Sequence, residues 1–435
     1  MEALERQKIV KVPDPENKGK FIEKEEDDPD WATAKSILTE LLNNRAEMKS
    51  YDRSVMWNYW GYLYFSDEDY DQAMYAYEQL LKEPEATVPL RTASLLTLAQ
   101  LNLVKERWDK GINLILQWMD EVETITAQSY YLLASAYFQK TDYVRARSNM
   151  EEAIRLAEEE GYRPKENWYV LLAACFSELK DKKIISAQYA LEQQVGIYEI
   201  LVNYYPKKLY FLQLGGTYQQ MDREEDYMLT LKAAYDKDLL DKEGEYLALA
   251  QMLLLKKNPY WAAQVLVAGQ QKKVTITDED TGEEEVVAVV KDKEKTLKLL
   301  ADAWRMAQEI DKAIPVLEKA AKMSKDGDTY VLLGNLYLFE DRMEDSIRAI
   351  EAGLKKPKVK SRSQALLVLG QAHFELQNFE EAKKQFRAAA RDENKRIKKT
   401  ANSWIKYAEN EEVRVKNLAL RRDFIQQSKA KSKNS

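Results

Sequence analysis

The chain has very few of the side chains that most enzyme and metal sites use. It contains one cysteine, Cys175, and one histidine, His373, in 435 residues. A single cysteine excludes an internal disulfide and any zinc site built from several cysteines. The chain also lacks a phosphate-binding glycine loop, a dinucleotide fingerprint and a kinase signature. We therefore expect no enzyme activity, no cofactor and no metal ion, although a hydrolase that uses carboxylates alone remains open.

Glycine, proline and long apolar runs are also scarce. The 14 Gly and 10 Pro leave few breaks, while 45% hydrophobic residues with 26 Tyr and 9 Trp supply a large core. This composition favours a nearly all-helical protein. No apolar run approaches the roughly 18 residues that a membrane span needs. The chain opens Met1-Glu2-Ala3, without the basic start and apolar stretch of a secretory leader. We expect no membrane insertion and no leader within this sequence.

A small residue, Gly or Ala, recurs nine times at similar intervals. Each copy follows Leu, or Trp in the first case, and is followed three positions later by an aromatic, Leu, Asn or His. The small residues are Gly61, Ala99, Ala134, Ala173, Gly215, Ala250, Ala301, Gly334 and Gly370. Their intervals bracket the 34-residue tetratricopeptide (TPR) period. The pattern predicts an all-α TPR superhelical solenoid of about nine helix pairs, with a β-hairpin insertion and capping helices.

Departures from the regular interval suggest how the chain is organised. An acidic, proline-containing start predicts an extended or disordered segment, and β-rich runs on either side of Asp280-Thr281-Gly282 predict a hairpin. The predicted segments are 1–29 (extended or disordered, acidic), 30–50 (N-terminal capping helix), 51–271 (repeats 1–6), 272–291 (β-hairpin), 292–394 (repeats 7–9) and 395–435 (capping helices and basic tail). Within the fourth repeat, we expect residues 183–205 to form a longer second helix. Calcium binding by Asp278, Asp280, Glu283 and Glu284 is an alternative without a known loop spacing.

The charge is unevenly distributed. The formal net charge is −7, but residues 391–435 contain 13 Lys and Arg against 6 Asp and Glu. A solvated capping helix is the simpler interpretation of this basic end. An electrostatic contact with an acidic partner, nucleic acid or anionic lipid is the alternative. Because the chain as a whole is acidic, we do not expect nucleic acid to be its main partner.

The first helix of each TPR pair should line a concave groove, with positions −3, +1 and +4 from the small residue facing away from the second helix. This rule predicts a partner-binding groove lined by Asn58, Tyr62, Phe65, Gln100, Tyr131, Phe138, Gln219, Gln251, Lys298, Arg305, Asn335 and Gln371. Side-chain amides can hold a peptide backbone because they donate and accept hydrogen bonds, and the rings can receive its side chains.

Three alternatives to this groove remain. The amides could serve only to keep the groove soluble, or residues 1–29 could fill it. A carboxylate clamp would use Lys298, Arg305 and Asn335. Asp302 lies between the two cations in sequence and opposes an anion there.

Five short segments carry a narrower resemblance. They are Pro164-Lys165-Glu166-Asn167-Trp168, Tyr205-Pro206-Lys207-Lys208, Pro259-Tyr260-Trp261-Ala262-Ala263, Leu300-Ala301-Asp302-Ala303-Trp304-Arg305 and Ala313-Ile314-Pro315-Val316-Leu317. Together they resemble the bacterial TPR proteins encoded beside TonB, ExbB and ExbD energy-transduction components. The resemblance implies an exported, periplasmic adaptor that helps couple inner-membrane proton-driven motors to outer-membrane transport.

Two functional hypotheses follow. The first is a non-enzymatic scaffold that binds a partner segment in the groove, within a TonB-type transport system. The second is a cytoplasmic assembly factor or regulator whose partner contacts the hairpin, the convex face or the basic tail. The identity of the partner and the oligomeric state remain open.

Overall fold

The computed structural model describes residues 7–13, 21–27, 30–277 and 282–433. It confirms the predicted all-α architecture of paired helices. The chain divides into two compact units, Met1–Arg223 and Glu224–Ser435. This boundary falls within the predicted block of repeats 1–6, between the two helices of the fifth repeat. No glycine or proline run marks it in the sequence.

Unit 1 begins with a two-stranded antiparallel sheet and continues through ten helices. Its elements are β1 (Gln7–Pro13), β2 (Phe21–Asp27), α1 (Trp31–Asn43), α2 (Ser50–Ser66), α3 (Tyr70–Leu81), α4 (Val88–Val104), α5 (Trp108–Glu121), α6 (Ala127–Gln139), α7 (Tyr143–Glu159), α8 (Glu166–Asp181), α9 (Ala187–Tyr204) and α10 (Lys208–Gln220). In the sheet, Gln7 pairs with Asp27 and Pro13 with Phe21. The sequence predicts extended or disordered chain here, and the pairing of the two extended stretches goes beyond that prediction.

Unit 2 contains ten helices and a second hairpin. Its elements are α11 (Glu224–Asp236), α12 (Glu243–Leu255), α13 (Pro259–Gln271), β3 (Lys273–Thr277), β4 (Glu284–Ala288), α14 (Glu294–Met306), α15 (Ile310–Met323), α16 (Asp328–Phe339), α17 (Met343–Leu354), α18 (Arg362–Glu375), α19 (Phe379–Ala389) and α20 (Lys395–Lys433). The prediction of several C-terminal capping helices is corrected to one 39-residue helix. No glycine or proline interrupts this stretch, so nothing in it favours a break.

The recurring small residue lies where the two helices of a repeat approach most closely. A Cβ atom built on Gly61 would be 2.6 Å from the ring of Tyr77, and one on Gly370 would be 2.5 Å from the ring of Phe386. In both cases the large partner follows 16 positions later on the second helix. Phe386 is fully buried. Interiors pack at nearly crystalline density, so these positions do not accommodate a larger side chain without displacing a neighbour.

A second periodic feature is the turn inside each repeat, where one residue adopts left-handed backbone geometry. These residues are Glu68, Glu106, Thr141, Lys183, Asp222, Lys257, Gln308, Asp341 and Gln377, with φ between 56° and 65°. The following N–H closes the turn, as when Asp69 donates to the carbonyl oxygen of Tyr64 at 2.9 Å. Such a bond satisfies a carbonyl that the helix end leaves free. Eight of the nine lie seven positions after the small residue; Lys183 comes three positions later because α8 continues three residues further past its small residue than α2 or α4 does.

The β3–β4 hairpin is anchored at its base. Lys273 pairs with Ala288 and Thr277 with Glu284. Val290 is fully buried, and its N–H donates to the carbonyl oxygen of Gly269 at 2.9 Å. The calcium alternative includes Asp278 and Asp280, which lie outside the described residues.

Two properties of the described residues bear on function. They contain no group of three or more His, Cys, Asp or Glu side chains placed to hold a metal ion. None of the described helices is both long enough and apolar enough to cross a membrane.

Candidate binding faces on the first helices

The predicted groove residues all lie on the first helices of repeats, which are α2, α4, α6, α8 and α10 in unit 1 and α12, α14, α16 and α18 in unit 2. Contacts between successive first helices join α2 to α4, α6 to α8 and α16 to α18. None of the twelve side chains is buried. Exposed are Tyr62, Phe65, Gln100, Gln219, Gln251 and Arg305; half-buried are Asn58, Tyr131, Phe138, Lys298, Asn335 and Gln371. Seven belong to unit 1 and five to unit 2. Each set forms what we call the first-helix face of its unit.

The start of the unit 1 face is aromatic. Tyr62 is 48% exposed and Phe65 45% exposed. Trp31, the first residue of α1, stacks on Tyr62 with ring centroids 6.1 Å apart. Phe65 packs against Tyr70 of the second helix at 5.9 Å. Each ring therefore has one packed side and one open side.

Further along the same unit, two predicted groove rings take part in packing between helices. Tyr131 stacks on Trp168 of the next first helix at 5.5 Å, and its hydroxyl accepts a hydrogen bond from Asn167 Nδ2 at 2.8 Å. Phe138 meets Tyr143 edge-on at 5.1 Å. These rings hold neighbouring helices in place, and less of their surface remains for a partner.

The predicted amides differ in what they already bind. Asn335 Nδ2 donates to the carbonyl oxygen of Val331, one turn earlier, at 2.9 Å. In contrast, the side chains of Gln100, Gln219, Gln251 and Gln371 have no hydrogen-bond partner within the described part of the chain. Polar groups that become buried normally form hydrogen bonds. These four amides can therefore form theirs with a bound peptide.

The two predicted cations of unit 2 are paired within their own helix. Lys298 forms an ion pair with Glu294 at 2.5 Å, and Arg305 with Asp302 at 3.2 Å. A carboxylate clamp needs cations that are not already neutralised by a neighbouring acid. The geometry therefore disfavours the clamp at Lys298 and Arg305.

The titratable side chains near the repeat cores have the shifts that burial causes. Burial raises the pKa of the Cys175 thiol to about 12 and that of Tyr77 to about 12. Burial also lowers the pKa of His373. A nucleophile is activated when its pKa falls towards neutrality, so Cys175 and Tyr77 have the properties of structural core residues.

One set of first-helix residues was missed by the sequence rule. α20 contacts α18 and α19 in the way that α18 contacts α16 and α17, so its N-terminal part is a tenth first helix. Ala401 is fully buried and takes the small-residue position, with Trp404 three positions later. Lys398 and Asn402 then occupy the −3 and +1 positions, and both are exposed. The Ala-to-Trp spacing, 31 residues after Gly370, is the signal that could have identified them.

The segments that carry the resemblance to the TonB-associated group converge in each unit. In unit 1, Tyr205 Oη donates to the carbonyl oxygen of Pro164 at 2.8 Å, and Lys207 forms an ion pair with Glu166 at 2.6 Å. Two segments about 40 residues apart in sequence are thereby joined at the start of α8. We call this group the Pro164 cluster.

In unit 2, residues of two segments meet at one tryptophan, together with Lys312, which directly precedes a third segment. Tyr260 packs edge-on against Trp304 at 5.7 Å, and Lys312 Nζ lies 4.7 Å from the Trp304 ring centroid. The neighbouring Trp261 is 52% exposed. A cation over a ring face is attracted by about 1 kcal/mol at an exposed site. We call this group the Trp304 cluster.

Comparisons with known proteins agree with the repeat architecture. Two tetratricopeptide-repeat family models match residues 127–160 and 331–395. No curated protein is similar enough in sequence to count as a relative.

Several solved structures align with parts of this chain. They include MamA (19% identity, 44% of this chain and 94% of that one, TM-score 0.34); YrrB, described as a TPR protein with an unusual peptide-binding site (14%, 46% and 91%, 0.34); and a TPR protein from Parabacteroides merdae (13%, 65% and 98%, 0.25). At these identities and TM-scores the matches say nothing about the function of this chain.

Proposed function

From a chain built of tetratricopeptide repeats, we propose a non-enzymatic scaffold that binds an extended segment of a partner protein on its first-helix faces. The observation that carries this proposal is in unit 1. There, the open sides of Tyr62 and Phe65 lie on α2, and α2 contacts α4, which presents the unpartnered amide of Gln100. Aromatic anchors supply most of the energy at such surfaces, and amides fix the peptide backbone.

The finer proposal is that the partner belongs to a TonB-type envelope transport system and that the protein acts in the periplasm as an adaptor. Its support is the resemblance of five sequence segments, four of which supply residues to the Pro164 cluster and the Trp304 cluster. The Trp304 cluster keeps Tyr260 and Trp261 accessible, at 42% and 52% exposure. Accessible aromatic residues of this kind are frequent at protein interfaces.

Calorimetry with purified periplasmic segments of TonB and ExbD tests both levels of the proposal. The test variant is Tyr62→Ala with Gln100→Ala. The control variant is Tyr75→Ala with Gln117→Ala, which removes one exposed ring and one exposed amide from the second helices α3 and α5. We expect the test variant to bind at least tenfold more weakly, as loss of a hot-spot residue does, and the control to change little.

The outcomes distinguish the general scaffold role from the TonB assignment. If neither segment binds the unmodified protein, the TonB assignment is wrong, and the scaffold role must be tested with other partners. If a segment binds and the two double variants weaken it equally, the assignment to the first-helix face is wrong.

A second candidate is the cytoplasmic assembly factor or regulator that uses the β3–β4 hairpin. The observation that favours it is the exposure of Ile276 at 43% and Val286 at 65% on paired strands, above the anchored base. Ile276→Ser with Val286→Ser leaves Val290 and the base intact. Loss of a partner in this variant, with binding retained in the Tyr62 and Gln100 variant, would support the hairpin over the first-helix face.

A further inference from the structure

The first turns of α20 carry a lysine-rich cleft of about 430 Å³. It is lined by Lys395, Lys398, Lys399, Asn402, Ser403 and Lys406. We call it the lysine cleft. With 3.6 residues per turn, these side chains lie on the side of the helix away from Ala401 and Ala408, which are fully buried. The cleft therefore opens on the solvent side of the tenth first helix.

The four lysines of the cleft have no ion-pair partner among the described residues. Two other lysines, one on α19 and one further along α20, are neutralised. Lys383 lies 2.7 Å from both Glu380 and Glu412, and Lys416 also pairs with Glu412 at 2.6 Å. The pairing lowers the pKa of Glu412 to about 2, with Lys383 as its main cause.

The contrast between these paired lysines and the lysine cleft identifies uncompensated charge. Residues 395–406 span about 17 Å of helix axis and carry Arg396 besides the four cleft lysines, so five positive charges repel one another over a short distance. A bound anion would relieve that repulsion. Asn402 lies among them at the +1 position, the position at which Gln371 stands on α18, and its amide can bond a peptide backbone.

We propose that the lysine cleft binds a short acidic segment of the partner protein, an inference that rests on the scaffold function proposed above. The lysines would pair with Asp or Glu side chains, and Asn402 would hold the backbone between them. A cleft 17 Å long accommodates about five residues of extended chain.

The surroundings of the cleft favour a short acidic peptide over nucleic acid or a bilayer. Exposed Glu375 lies on α18, and Glu409 follows one turn after Lys406. In contrast to the basic residues 391–435, residues 1–390 carry an excess of 14 negative charges. A long polyanion or an anionic bilayer would extend beyond the lysines and meet these acids, whereas a segment of about five residues would not.

Fluorescence anisotropy on the full chain tests the inference. The probe is a labelled octapeptide of alternating Glu and Asp, and the matched probe is an octapeptide of alternating Gln and Asn. The test variant is Lys398→Glu with Lys406→Glu. The control variant is Lys355→Glu with Lys360→Glu, which makes the same charge change at exposed lysines that also lack an ion pair among the described residues.

We expect the acidic octapeptide to bind the unmodified protein and to bind the test variant at least tenfold more weakly, with less than a threefold change in the control. The amide octapeptide should not bind. The dependence of the logarithm of Kd on the logarithm of salt concentration should be shallower in the test variant, because fewer charges are neutralised on binding. Circular dichroism of both variants checks that the helices are retained.

Equal weakening in the two variants would overturn the inference, because it would show an unspecific response to net charge. A ten-nucleotide single strand or a vesicle of phosphatidylcholine and phosphatidylglycerol that binds more tightly than the octapeptide, and is lost in the test variant, would also overturn it.

The Tyr62→Ala, Gln100→Ala variant distinguishes the inference from the scaffold proposal. It should leave octapeptide affinity unchanged. If partner segments bind the unmodified protein but the octapeptide does not, the scaffold function stands and the lysine cleft assignment fails.

Discussion

The first-helix faces of the two units differ in chemistry although they are built from the same repeat. Unit 1 presents rings such as Tyr62 and Phe65 that are about half exposed. Unit 2 presents Lys298 and Arg305, each paired with an acid of its own helix, and ends in α20 with the lysine cleft, whose four lysines have no ion-pair partner among the described residues. The comparison teaches that a repeat constrains its buried positions and allows side chains of different chemistry at positions −3, +1 and +4.

The largest expected effects test whether both faces depend on the same close packing. Gly61→Leu in unit 1 and Gly370→Leu in unit 2 should each lower the free energy of unfolding by about 1–3 kcal/mol, because the added side chain overlaps Tyr77 or Phe386. Urea denaturation measures the change. Gly216 has no atom within 4 Å of an added Cβ, so Gly216→Ala should be neutral or stabilising, by at most about 1 kcal/mol. A tolerated leucine at Gly370 alone would show that the two units pack differently.

The next prediction concerns what covers the aromatic face of unit 1. Trp31→Ala removes the ring stacked on Tyr62 and should destabilise α1 by about 1 kcal/mol. Hydrogen exchange of the α1 amides reports this local loss. Trp261→Ala in unit 2 removes a ring that is 52% exposed and should have a smaller effect. Equal effects would indicate that Trp31 does not hold α1 against the face.

A pH dependence should be confined to unit 2, since the chain's one histidine lies there. Burial lowers the pKa of His373 below its ordinary value of 6.5. The unfolded chain therefore binds a proton more readily than the folded one, so stability is complete above pH 6.5 and declines as the pH falls below it. Hydrogen exchange between pH 7.5 and 5.5 should show faster opening of α18 and α19. His373→Phe should remove the difference, and a similar pH response in unit 1 would contradict the assignment.

The smallest expected effect compares two left-handed turns. Glu68→Gly in unit 1 should raise the free energy of unfolding by about 0.5 kcal/mol, because glycine adopts positive φ without strain. Asp341→Gly in unit 2 should gain less, since aspartate tolerates this geometry better than glutamate. Thermal denaturation of the two variants measures the difference. A larger gain at Asp341 would contradict this ranking.

Much of the fold could be predicted from the sequence because close packing between helices requires small residues at regular intervals. The nine small residues marked the close contacts of the repeats, and the β-rich runs marked the β3–β4 hairpin. The left-handed turn residues could not be recognised by residue type, because residues such as Glu68 and Gln377 occupy positions where glycine would be expected. The single helix α20 was also missed, since its boundaries depend on the absence of breakers.

The candidate site was predicted less completely. The offset rule placed all twelve residues outside the buried core, but it could not tell whether a side chain was already engaged. Tyr131 bonds Asn167, from a different helix, and Asn335 bonds its own helix. Both look like free groove residues in sequence. Lys398 and Asn402 were missed because, among the described residues, their helix is not followed by a second helix that carries the paired small residue.

The sequence by itself determined the helix pairs, their order and which positions must be small, because these follow from local periodicity and the volume available between two helices. The tertiary structure alone decided which polar groups remain unpaired. It neutralised Lys383 between two carboxylates and, within the described residues, left the lysine cleft without an ion-paired carboxylate. It also brought the Pro164 and Trp304 clusters together from distant segments. Pairing depends on distances between side chains from different helices, and a one-dimensional pattern does not contain those distances.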